Sequence, residues 1–72
     1  MTVNQLRKEL HLSQLELSIQ SQVSPAMIVA IERYGYKPGP AVRSKIAAAL
    51  GVKESLLWPD VQSNEVVTNG NN

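Results

Sequence analysis

Seventy-two residues, with seven Lys and Arg against six Asp and Glu, make a nearly neutral chain of a length that supports one domain around one small core. The chain has no cysteine, which excludes disulfides and thiolate metal sites, permits an intracellular setting, and leaves helix packing to supply a margin of only a few kcal/mol. No apolar run approaches a membrane span, the longest being "IAAAL" at Ile46–Leu50, and the start lacks the basic segment and long apolar stretch of a secretory signal.

The apolar residues follow a helical period nearly throughout. Val3, Leu6 and Leu10 lie three and four apart and predict a first helix over Val3–Leu10 with all three on its core face. Thr2 with Gln5 three residues later has the form of a capping box. His11 follows, at a position where an imidazole commonly hydrogen-bonds the last helix carbonyls; as the one histidine, with no second nitrogen or sulfur ligand, it argues against zinc. Leu12 closes this helix against the next. Ser13 and Glu16, in "SQLE", form a stronger capping box, so a second helix starts at Gln14 and runs to about Gln20.

Ser24 and Pro25 start a third helix, the serine capping the first-turn amides and the proline having no amide to leave unpaired. It runs to Arg33 or Tyr34 and stops at Gly35, which can take the left-handed cap conformation. "YKPGP" is a rigid loop. Pro40 opens a fourth helix, "PAVRSKIAAAL", with Val42, Ile46, Ala49 and Leu50 inward and Gly51 as its stop. "KESLLW" gives a fifth, short helix ended by Pro59. From Val61 onward Ser, Asn, Gly, Thr and Gln take over, which predicts a flexible tail over 61–72, with "NEVV" at Asn64–Val67 a candidate strand for pairing with a partner chain. The expectation is an all-α, compact five-helix bundle over 1–60 followed by that tail.

The second and third helices are separated only by "SQVS", Ser21–Ser24. Two short helices joined so tightly meet at a steep angle, which exposes the second along its length, as in proteins that lay that helix in the DNA major groove. Val23 is the expected apolar plug between them, with Leu17, Ile28 and Ile31 facing inward. The run "LSQLELSIQSQVSPAMIVAIERYG", followed by "KPGPAVRSKIAAALGVKESLLWP", resembles the phage-repressor or Cro-type (XRE-type) helix-turn-helix family from about Leu6 to Asp60. Its most specific parts are "LSQ", "VS", "IE" and "IAAALGV" with "LLWP", in that order and spacing.

The resemblance implies a DNA-binding regulator without cofactor or small-molecule ligand, cytoplasmic, usually a repressor and a homodimer on a two-fold-related operator. It implies that Gln14 binds a phosphate, helped by the free amides and positive end of its helix. Arg7 and Glu32 match the family's ion pair between the first helix and the end of the third. Lys37 and Arg43 match positions that hold the DNA backbone, whereas Lys45 and Lys8 read equally well as ordinary solubilising charges. Helix five and the residues after it, Leu57–Val61, are the candidate dimer contact, on the expectation of exposed apolar residues there.

Two departures from the family stand out. Ser18 takes the place of a common alanine, and Gln22 that of a turn glycine, where a left-handed backbone costs a non-glycine residue about 1 kcal/mol. The outward side of the third helix carries Ala26, Val29, Ala30 and Arg33, with Met27 on one flank and Ser24 and Pro25 at the tip, where family members carry long polar side chains for base edges. Three readings follow. The face enters the groove, its methyl groups touching thymine methyls and Arg33 binding a guanine or a phosphate, with discrimination left to DNA shape; or it docks a protein, in an antitoxin-like or assembly role; or specificity comes from the loops or a partner. The basic residues flanking the third helix favour the first. No phosphate loop or nucleophile constellation is present, so no enzyme activity is expected, and Trp58 reads as a core or dimer anchor rather than a stacking platform.

Overall fold

A computed structural model describes residues 1–60 of the chain. The expected tail and the "NEVV" segment lie outside the described residues. Within them the chain forms five helices and no strand: α1 Val3–Glu9, α2 Gln14–Ser21, α3 Pro25–Tyr34, α4 Pro40–Leu50 and α5 Glu54–Leu57.

Local chemistry sets the boundaries. In α1 the Thr2 hydroxyl accepts from the Gln5 amide at 3.0 Å while the Gln5 side chain accepts from Thr2 at 2.9 Å. In α2 the same reciprocal pair joins Ser13 and Glu16 at 2.9 and 2.7 Å, satisfying two otherwise unpaired amides at each start. Ser24 caps α3 by accepting from Met27 at 3.1 Å, and prolines begin α3 and α4. Gly35 and Gly51 end those helices at φ 68° and 72°, a region open to glycine without steric cost.

The first helix departs from expectation at its end. It stops at Glu9, and Leu10 has left helical geometry, so Leu10 is 46 % exposed and does not share the core face of Val3 and Leu6. His11 takes a left-handed backbone (φ 58°), and its own amide donates to the Lys8 carbonyl at 3.0 Å; the backbone, not the imidazole, closes the helix.

Leu17, Ile28 and Ile46 are fully buried and bring α2, α3 and α4 together, with Val3, Leu6, Val23, Ile31, Ala47, Leu50, Leu57 and Trp58 around them. Full burial of each such leucine or isoleucine is worth about 1.5–3 kcal/mol. Val42 and Ala49 pack at the edge of this core, and Ala47, unanticipated from sequence, is 3 % exposed. Leu57 and Trp58 are core residues of their own chain, so the apolar exposure anticipated over Leu57–Val61 is corrected: among the described residues of α5 it is Leu56 that is exposed.

Candidate nucleic-acid interface

The presentation of α3 depends on one carboxylate. Glu32, near the end of α3, accepts from Arg7 Nε at 2.7 Å and Arg7 Nη2 at 2.9 Å. It also accepts from Asn4 Nδ2 at 3.0 Å and Gln14 Nε2 at 3.1 Å. The third Arg7 nitrogen donates to the Leu12 carbonyl at 2.7 Å. One buried acid therefore joins α1, the α1–α2 connection, the first residue of α2 and the end of α3, and the two-pronged arginine contact fixes direction as well as distance. Burial pushes the Glu32 carboxyl up, but the bonds from Arg7, Asn4 and Gln14 prevail and hold it below the usual carboxylate range. The bond to Glu32 raises Arg7 against the opposing effect of burial. The expected Arg7–Glu32 pair is present; Asn4 was not anticipated, because a single asparagine on α1 carries no sequence signal for a contact 28 positions away.

The turn between α2 and α3 is made without glycine. Gln22 adopts φ 60°, ψ 35°, the left-handed conformation expected at this position. Ser18 compensates: its buried hydroxyl donates to the Val23 carbonyl at 2.6 Å, and the Val23 amide donates back to the Ser18 carbonyl at 3.2 Å. The hydroxyl that replaces a methyl group is thus satisfied and ties the turn to α2, which makes its burial tolerable. Val23 itself is buried as the plug between the helices.

On α3, Ile28 and Ile31 face the core, while Ser24, Pro25, Ala26 and Arg33 are exposed. Val29 and Ala30 are half-buried. Met27 is also half-buried and packs against the core, so it braces the helix more than it extends the outer face.

The flanking groups are already engaged. The Gln14 side chain is held by Glu32. Lys37 pairs with Asp60 at the surface, both side chains more than half exposed, and the lysine holds the Asp60 carboxyl below its ordinary range. Arg43 donates from Nη1 to the Pro38 carbonyl at 2.9 Å and from Nε to Glu54 at 3.4 Å, with its side chain only 15 % exposed. Lys37 can exchange its partner for another anion at little cost; Arg43 is built into the joint between the α3–α4 loop and α5.

A family model described as helix-turn-helix matches residues 3–57. The chain belongs to the helix-turn-helix family. No curated protein and no solved structure matched it. As a helix-turn-helix protein of the repressor and Cro type it is a DNA-binding regulator, and the match spans the first four helices and α5 in full. Its α2–turn–α3 unit is the pair of helices braced by Glu32 and by the Ser18–Val23 contact. No helix among the described residues is long and apolar enough to cross a membrane.

Proposed function

We propose that this helix-turn-helix protein is a cytoplasmic transcriptional repressor that lays α3 in the major groove of an operator. The observation that carries the reading is the outer side of α3: a helix held rigidly at both ends, with Ala26 and Arg33 exposed along it. Ser24 and Pro25 lead into the groove. Ala26, Val29 and Ala30 present methyl groups to thymine methyls, with Met27 on the flank, and Arg33 donates to a guanine edge or a phosphate. So few base-edge donors leave much of the discrimination to DNA shape.

Backbone contacts come from both sides. Gln14, at the start of α2, meets a phosphate together with the first-turn amides, exchanging its bond to Glu32 or sharing it. Lys37 releases Asp60 to a phosphate. Arg43 acts chiefly by holding the loop that carries Lys37. The protein works as a homodimer, with exposed Leu56 on α5 in the contact. A protein-docking role for the α3 face is the weaker reading, since the packing of Met27 against the core shrinks the apolar surface that a partner could cover.

Selection of bound duplexes from a random pool, followed by mobility shifts, tests the reading. Arg33→Ala is expected to lose about 1–3 kcal/mol of affinity for the selected sequence. Failure of the wild-type protein to retain any duplex at low salt would end the DNA assignment of this face. Sedimentation at high concentration, with and without the selected duplex, tests the dimer; a strict monomer in both removes it.

A further inference from the structure

The chain has three aromatic residues, Trp58, Tyr34 and Tyr36. Trp58 is in the core, but Tyr34 is 77 % exposed and Tyr36 49 %. Both tyrosines therefore stand at the C-terminal end of α3, next to Arg33 in sequence and bracketing Gly35.

Their backbone is nonetheless firmly held. The Tyr36 amide donates to the Ala30 carbonyl at 3.2 Å across the left-handed Gly35. Two residues on, Pro38 is fully buried and its carbonyl is gripped by Arg43. Tyr36 thus sits on a short segment anchored at both ends, and Tyr34 is the last residue of α3. The end of a helix carries partial negative charge, so a phosphate approaching here gains nothing from backbone amides and needs side-chain donors. Arg33, Tyr34, Tyr36 and Lys37 are the donors this corner offers.

We propose that Tyr34 and Tyr36 are DNA-backbone contacts, their phenol hydroxyls donating to phosphodiester oxygens beside the end of α3. This rests on the DNA-binding orientation of α3 given above. Pre-anchored backbone lowers the ordering cost of such contacts, and a tyrosine loses less side-chain freedom on binding than a lysine does. The tyrosines are neutral, so they add affinity without displacing counterions. That separates them from Arg33 and Lys37, whose contribution is salt-dependent.

The test is fluorescence anisotropy with a labelled duplex of mixed sequence, titrated over a range of salt. Tyr34→Phe and Tyr36→Phe keep both rings and remove only the hydroxyls, at positions too exposed to threaten folding. Each should weaken binding about three- to tenfold, with the dependence on salt equal to that of wild type, while Lys37→Ala should flatten it. A Tyr34→Phe/Tyr36→Phe double variant that binds as tightly as wild type overturns the proposal while leaving the DNA reading intact. A flattened salt dependence in the double variant also overturns it. If wild-type protein binds no duplex, the DNA reading itself falls, and the proposal with it.

Discussion

Glu32 and Gln22 show how single residues set the angle at which α3 is offered. Glu32 is almost fully buried with an ionised partner, so removing its charge leaves Arg7 enclosed and unpaired. Glu32→Gln should cost on the order of 3 kcal/mol at neutral pH, most of the margin of a domain this small, as read from thermal melts. The pH dependence follows from the direction of its shift. A carboxyl held below its unfolded value of 4.5 stabilises the fold above that pH and loses this contribution as pH falls through the lower folded value. The melting temperatures of wild type and Glu32→Gln should therefore converge in acid; a gap that stays constant would show that the ionised pair is not the source. At Gln22 the opposite sign is expected. Relief of the left-handed strain exceeds the entropy that glycine costs in the unfolded chain, so Gln22→Gly should stabilise by about 0.5–1 kcal/mol in urea titrations.

At the level of elements, the joint between the α3–α4 loop and α5 depends on Arg43. Its guanidinium spans the Pro38 carbonyl and the Glu54 carboxylate, two partners on different segments. Arg43→Ala should destabilise by about 1–3 kcal/mol, because the carbonyl loses its partner. Arg43→Lys should not restore the melting temperature, since one ammonium cannot reproduce the planar fork. Equal stability in the alanine variant would return Arg43 to the role of a free phosphate contact. α2 has a similar division between faces: Leu17, Ser18 and Ser21 are buried against α3 and α4, while Leu15 and Ile19 on its outer side are 59 % and 67 % exposed.

For the whole molecule the decisive quantity is the response of DNA binding to salt. The net charge of +1 is too small to hold a duplex by itself, so under the proposed orientation the salt-dependent affinity is expected from the few cations near α3. Lys37→Ala is expected to weaken all sequences alike and to lower the log–log salt slope by about 1, measured by anisotropy. An unchanged slope would mean that Lys37 remains with Asp60 in the complex. The folded core sets the other whole-molecule property. Because Leu57 and Trp58 are consumed within the chain, little of α5 beyond Leu56 is left for a second copy.

Most helix boundaries, the inward faces of α2 and α3, and Ile46 and Leu50 of α4 were legible because they depend on residues a few positions apart: capping serines, prolines, stop glycines and apolar spacing. The Gln22 conformation was legible through the family resemblance, in which a glycine commonly holds that turn position, and the structure gives it φ 60°. The ends of that local logic are visible at Leu10, where a helix one residue shorter than its periodicity turns an apolar side chain to water, and at His11, whose backbone caps instead of its ring. Contacts between distant segments are a different matter. That Asn4 and Gln14 converge on Glu32, that Arg43 is half-buried in a loop joint, and that Trp58 anchors its own core rather than a dimer all depend on where helices lie in space. The amino-acid sequence by itself determined five helices and an outward face poor in polar groups; only their packing decided which charged groups are free to meet DNA, because an ion pair forms by distance in three dimensions and not along the chain.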